Sequence, residues 1–147
     1  MSDIADADDF ERISRLRALY FAFVDAKNWR GLADLFSPDA TIEMPRYDGP
    51  RPYLDAIASF RSALAGVESV HIGYMPDITI DSDTYAHARW GMEDSLYRRI
   101  PGCPGYYALL NGFGYYDDTY VRDREAWRFQ SIRLTRVRED LFPRVRR

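Results

Sequence analysis

A chain of 147 residues with a net charge of −3 fits one domain, can bury a proper core, and lacks the basic balance of a nucleic-acid binder. Its one cysteine, Cys103, excludes an intrachain disulfide and a cysteine metal cluster, and no apolar run approaches membrane-spanning length. The N-terminus, Met-Ser-Asp-Ile-Ala-Asp, is acidic and has none of the apolar segment of a signal peptide, so a cytoplasmic protein without membrane contact is expected.

Residues 1–7 read as a loose polar arm. Asp8 and Glu11 have the spacing of a capping box and predict a helix over 9–27. Ile13, Leu16, Tyr20 and Phe23 (or Val24) recur at helical spacing, with Arg12, Arg15 and Arg17 in water. Residues 19–24 are apolar on every side, so this end of the helix should enter an enclosed space, and it closes on the carboxylate of Asp25. Asn28 caps a second helix over 29–36, ended by Ser37-Pro38. Ala40, Ile42 and Met44 alternate with Thr41 and Glu43 in a short strand, and residues 47–52 form a rigid loop. A third helix over 52–64 stops at Gly66.

Beyond Gly66 the period becomes that of β-structure. Strands are predicted over 67–74, resuming at 78–80 after a break or bulge at Pro76-Asp77, and over 85–98, 106–122 and 127–138. Turns fall at 81–83, 101–105 and 123–125. The remainder, with Arg144, Arg146 and Arg147, reads as a basic tail. Helices first and long antiparallel strands after predict a single α+β domain over 1–147. Its curved, mixed, mainly antiparallel sheet would coil around three N-terminal helices as a cone-shaped barrel with an internal cavity.

Several residues are candidates for chemistry. The helix macrodipole disfavours an acid at a C-terminal end, so Asp25 either meets solvent at the Asn28 turn or has a partner elsewhere. His71 shares strand parity with Val67, Ser69 and Gly73. The other parity, Val70, Ile72 and Tyr74, is at least as apolar, so periodicity alone does not place His71 inside. A carboxylate beside it would fix its tautomer and raise its basicity. His87 alternates with Arg89 and Glu93 and reads as solvent-facing. Tyr107, Leu109, Asn111, Phe113 and Tyr115 share a strand face that is either core or pocket, the polar tips of Asn111 and Tyr115 favouring a pocket. Asp94 is a lone charge on the face of Trp90, Met92 and Leu96, with Arg133 as a candidate partner. No His/Asp/Glu grouping has metal-ligand spacing.

The stretches Tyr20-Phe-Ala-Phe-Val-Asp25, Trp29-Arg-Gly-Leu-Ala-Asp-Leu-Phe36, Pro38-Asp39-Ala40, Gly112-Phe-Gly-Tyr-Tyr116, Thr119-Tyr-Val-Arg122, Trp127-Arg-Phe129 and Leu134-Thr-Arg136, together with His71, resemble the SnoaL-like branch of the nuclear transport factor 2-like superfamily. The branch includes scytalone dehydratase, bile acid 7α-dehydratase and hexachlorocyclohexane dehydrochlorinase. The resemblance implies a cone with a hydrophobic cavity and a cofactor-independent elimination by a helix Asp paired with a strand His, which fall on Asp25 and His71. It also places Tyr20 at the tyrosine of the bile acid dehydratase pattern. Many members carry Gly-His-Tyr where this chain has Gly114-Tyr115-Tyr116, so Tyr115 would replace a second histidine, and a phenol with an ordinary pKa near ~10 is a poor base.

The expectation is a lyase, a dehydratase acting without cofactor or metal on a cyclic hydrophobic molecule of polyketide or steroid type. His71 would be the base, Asp25 its orienting partner, and Tyr20 and Tyr115 hydrogen-bond donors to substrate. Trp90, Met92, Phe113 and Asn111 would line the pocket, and Arg122 or Arg133 would hold a polar substrate end. A small homo-oligomer, dimer or trimer, is implied. The alternatives are a non-catalytic ligand-binding or structural subunit of this fold, and a ketosteroid isomerase-like enzyme using Asp94 as its strand carboxylate.

Overall fold

The computed structural model describes residues 3–124 and 126–146. The elements are α1 (Asp3–Asp25), α2 (Trp29–Ala33), β1 (Phe36–Glu43), β2 (Arg51–Pro52), α3 (Tyr53–Ala63), β3 (Val67–Ser82), β4 (Tyr85–Arg99), β5 (Tyr106–Asp123) and β6 (Ala126–Arg146). The strands form one curved sheet in the order β2-β1-β6-β5-β4-β3, parallel between β1 and β6 and antiparallel elsewhere. This is the expected α+β architecture.

Three boundaries differ from the sequence prediction by more than two residues, and Arg51–Pro52 of the expected rigid loop pair with β1 as the short strand β2. Helix α1 starts at Asp3, inside the predicted arm, so Asp8 is an interior helix residue paired with Arg12 one turn on (2.7 Å) rather than a cap. Helix α2 ends at Ala33 and the chain is already a strand at Phe36, because Phe36 pairs with Phe129 of β6. Strand β6 runs to Arg146, through the predicted tail, as Tyr106–Gly112 of β5 supply its ladder partners. Pro143 is tolerated there because β1 reaches only to Arg133 and leaves that edge of β6 without a neighbour among the described residues. Glu125 of the predicted turn, Met1 and Ser2 of the arm and Arg147 of the tail lie outside the described residues.

Other local predictions hold. Asn28 Oδ1 accepts from the Gly31 N–H at 2.9 Å, Gly66 ends α3 with φ +71°, and the ladder shifts register between Tyr74 and Asp77. Met75 takes φ +47° inside that bulge.

The core lies between α1 and the inner face of the sheet. Ile13, Leu16, Tyr20, Phe21 and Val24 of α1 meet Trp90 and Met92 of β4, Tyr116 and Tyr120 of β5, and Phe129, Ile132 and Leu134 of β6. Arg17 lies in the same stripe, between Ile13 and Phe21, so the expectation of an exposed Arg17 is wrong. It is 1% exposed and its guanidinium forks onto Asp118 of β5 at 3.1 and 2.5 Å. The rings of Tyr20, Phe21, Tyr116 and Phe129 surround it at 4.2–5.3 Å. Tyr120 donates to Asp118 (2.7 Å) and receives Trp90 Nε1 (3.1 Å), which completes a buried polar chain.

Burial alone would raise the Asp118 carboxyl, and it does sit above its ordinary value, although Arg17 and the Tyr120 hydroxyl oppose the shift. For Arg17 burial favours loss of the proton, but Asp118 and the surrounding phenols more than compensate and hold it charged. Removing one partner strands the other charge. Arg17→Ala is expected to lower the unfolding free energy by ~3–5 kcal/mol in urea denaturation, and Arg17→Met combined with Asp118→Leu to recover most of that loss.

Candidate functional site

Asp25 is the last residue of α1 and its carboxylate faces β3. It accepts from Ser69 Oγ at 2.9 Å and from the backbone N–H of His71 at 3.0 Å, and it lies 2.6 Å from His71 Nδ1. Because a carboxylate only accepts, the proton in this contact belongs to Nδ1, which leaves Nε2 of a neutral imidazole as the free lone pair. Burial by itself would raise the Asp25 carboxyl; the His71 ring, the His71 N–H and Ser69 outweigh it and hold the group below the ordinary value.

The His71 ring is fixed from its flat side as well. Phe21, one turn before Asp25 on α1, stacks on it with centroids 6.0 Å apart and planes 9° from parallel. Phe21 has room only because residue 73 is glycine, since a Cβ there would lie 2.6 Å from the Phe21 ring. The imidazole side chain is 10% exposed, so it is an interior group despite the apolar character of the opposite parity of β3.

Across the sheet His71 is opposed by Asp94 of β4, whose Oδ2 is 3.8 Å from Nε2. Asp94 is fully buried and held by a two-pronged contact from Arg136 of β6, at 2.9 and 2.5 Å. Strand β5 lies between them, and it yields space by having glycine at residue 112. A Cβ at that position would come 1.7 Å from Arg136 Nη1 and 2.3 Å from Asp94 Oδ1. Arg136 Nε also lies 3.2 Å from Glu139 Oε1. A polar row thus crosses the inner face from Asp25 through His71 and Asp94 to Arg136. At its far end Arg136 borders a cleft of about 290 Å³ walled by Met44, Tyr47, Phe60, Leu96 and Leu134. Tyr116 lies inside this frame, its phenol pushed up to about 12 by burial, with Arg17 acting against the shift.

The residues selected from sequence divide into three groups. Asp25 and His71 meet. Tyr20, Trp90 and Met92 face inward but are packed in the core. Tyr20 lies edge-on to Phe21, Phe36, Tyr116 and Phe129, one ring removed from the imidazole, and burial raises its phenol well above the ordinary value. Tyr115, Phe113 and Asn111 are turned away. Tyr116, Asp118 and Tyr120 take the inner face of β5, so the alternate residues face outward, where Tyr115 lies under Arg89 at 4.2 Å and Asn111 donates to Ser95 Oγ at 2.7 Å. Tyr115 therefore cannot stand in for a second histidine beside His71. Arg122 is committed to Asp9 of α1 and lies over the Trp127 ring. Arg133 pairs with Glu43 on the outer face (2.9 Å). The Asp94 partner is Arg136, not Arg133, because Arg133 has the wrong parity. His87 is exposed, as expected, and its Nδ1 lies 2.7 Å from Asp81.

Sequence reasoning missed Arg136, Ser69, Phe21 and Gly112 as site residues. The available signal for Arg136 was Asp94 itself, a charge on an apolar face that required a cation at the same parity of a nearby strand. Among the described residues no group of three or more His, Cys, Asp or Glu side chains could hold a metal ion, and no helix is long and apolar enough to cross a membrane.

Residues 5–133 match the sequence profile of SnoaL-like domains, and the chain belongs to that family. Its fold is shared with solved structures at low identity. A candidate scytalone dehydratase from Novosphingobium aromaticivorans DSM 12444 superposes with a TM-score of 0.80 at 20% identity, over 95% of this chain and 91% of its own. The type 2 hexachlorocyclohexane dehydrochlorinase LinA gives 0.81 at 15% identity, over 96% and 93%. The protein Kfla4162 of Kribbella flavida gives 0.79 at 20% identity, over 92% and 95%. At these identities the likeness is one of fold.

The lowered Asp25 carboxyl makes a pH prediction. A group depressed in the folded state adds stability above its unfolded pKa, ~3.9 for an aspartate, and loses it as pH falls through the lower folded value. The stability difference between wild type and Asp25→Asn, from urea curves, should close progressively as pH falls below ~4.

Proposed function

We propose that this member of the SnoaL-like family is a cofactor-independent lyase that eliminates water from a cyclic, largely apolar molecule carrying a hydroxyl β to a carbonyl. The observation that carries this reading is the 2.6 Å contact between Asp25 and His71 Nδ1, which leaves Nε2 as the basic nitrogen. The inward side chain of His71 and the apolar cleft at Arg136 support it.

In this reading Nε2 takes the proton from the carbon beside the carbonyl, and the electron pair passes to the carbonyl oxygen as an enolate. Asp25 stabilises the imidazolium from one side. Asp94, 3.8 Å from Nε2, stabilises it from the other and holds Arg136 in place. Arg136 faces the enolate oxygen from the cleft wall. The enolate then re-forms the carbonyl, the β-hydroxyl departs with the proton returned from Nε2, and the products are water and the conjugated ketone. Tyr20 and Tyr116 remain neutral phenols, and their role is to pack Phe21 and hence the imidazole.

The same contact favours a lyase over a non-catalytic subunit of this fold, in which Asp25 and His71 need not meet. Asp94 is a weaker candidate for an isomerase base, because both its oxygens are engaged by Arg136.

Asp25→Asn and His71→Gln are each expected to lower kcat/KM for elimination from a panel of cyclic β-hydroxy ketones by ~10²–10⁴-fold while the chain stays folded. Full activity in either variant would exclude the dyad.

A further inference from the structure

We infer that Glu139 sets the charge class of ligand that the cleft at Arg136 accepts: an uncharged carbonyl compound enters, and the carboxylate of the same shape is turned away. This rests on the proposed reading of that cleft as the substrate site. An arginine on the wall of an apolar cleft ordinarily receives carboxylates, through its positive charge and its planar fork. Arg136 has given up both. Its fork is taken by Asp94, with Nη1 at 2.9 Å and Nη2 at 2.5 Å, and its Nε lies 3.2 Å from the Glu139 carboxylate. Glu139 is on the inner face because it opposes Gly112, whose missing Cβ leaves room for the guanidinium. Burial acts against the Arg136 charge, but the hydrogen bond and charge of Asp94, then Tyr116 and Glu139, outweigh it and hold its pKa above the ordinary value.

Two carboxylates against one guanidinium leave an excess of one negative charge at the cleft wall. Each terminal nitrogen of Arg136 keeps one N–H beyond the Asp94 fork. Such a group donates hydrogen bonds to a carbonyl oxygen but has no net charge to attract an anion. Arg46 opposes the excess from the rim, with Nη2 3.9 Å from Glu139, but its side chain is 85% exposed and water screens it. The enolate of the proposed reaction escapes the penalty, because its negative charge appears together with the positive charge on His71 and the site as a whole gains none. A bound carboxylate brings an uncompensated charge. Asp94 cannot be the adjustable member, since it is fully buried and its loss strands Arg136. Glu139 is 38% exposed and meets the guanidinium from the side, so its charge can be removed with the fork intact.

The test is equilibrium dialysis of the full chain at neutral pH with 2-acetonaphthone and 2-naphthoate, which differ by a methyl group in place of one carboxylate oxygen. Neither carries a β-hydroxyl, so binding is read without elimination. Wild type should bind the ketone at least ~10-fold more tightly than the carboxylate, and Glu139→Gln should narrow that ratio by ~10-fold, the effect of one partly screened charge a few ångströms away. Glu139→Asp, which keeps the charge, should retain the wild-type preference. If Glu139→Gln does not fold, 1 M NaCl on wild type decides, because salt screens a partly exposed carboxylate and should narrow the same ratio. Absence of ketone binding, equal binding of the two probes by wild type, or a ratio unmoved by the loss or screening of the Glu139 charge overturns the inference. Preference for the ketone without elimination from cyclic β-hydroxy ketones overturns the lyase reading alone, and elimination without the preference overturns the role of Glu139 alone.

Discussion

A carboxylate can only accept hydrogen bonds, and Asp25 lies where its own helix supplies none. The C-terminal end of α1 presents carbonyl oxygens, which repel an acid. Three donors from β3 answer it: the hydroxyl of Ser69, the backbone N–H of His71 and the imidazole Nδ1. That requirement locks the end of α1 to the edge strand of the sheet and fixes the tautomer of the histidine together with the orientation of its ring. Phe21 and Gly73 then fix the plane of the ring. The geometry that holds the helix in place is also the geometry that directs Nδ1 of His71 to Asp25 and turns Nε2 away from it.

The interior carries a second constraint. Two Arg–Asp pairs, Arg17 with Asp118 and Arg136 with Asp94, are buried on the inner face of the sheet. Burying charge is costly, and in each pair a forked contact and the surrounding polar or aromatic groups offset it, although Arg17 Nη1 has no hydrogen-bond partner among the described residues. The pairs differ in surroundings. Arg17 is enclosed by four aromatic rings and bonded into the Asp118–Tyr120–Trp90 chain, with no route to solvent. Arg136 reaches the cleft and its Asp94 partner faces His71. The first pair lies within the core, and the second borders the cleft through Arg136.

The fold was legible in the sequence because its strongest signals are local: the 3.6-residue period in α1, Asn28 and Gly66 at helix ends, and the two-residue period through β4. The Asp25–His71 pair was legible in part, as an acid without a helical partner and a histidine without a clear face. What failed has a common physical cause. Polar function on the inner face inverted the usual pattern. On β5 the inner stripe contains Gly112 and Gly114, which carry no side chains, so the aromatic signal in the sequence lies with Phe113 and Tyr115 on the outer stripe. Gly112 is small because Arg136 and Asp94 occupy the space a side chain would fill. Residue type alone predicts an exposed Arg17, although it sits three to four residues from Ile13, Tyr20 and Phe21 in the apolar stripe. Only a partner such as Asp118, 101 residues away, permits that burial, and no local pattern reveals it. Local rules fail here where long-range partners let charged groups replace apolar packing.

The proton transfer assigned to His71 can be measured without waiting for the natural substrate. Cyclic β-hydroxy ketones incubated with the protein in D2O, followed by NMR, report deuterium entering the carbon beside the carbonyl before or alongside elimination. The account predicts incorporation at that carbon by wild type and background incorporation by His71→Gln. Equal incorporation by the two proteins would contradict it.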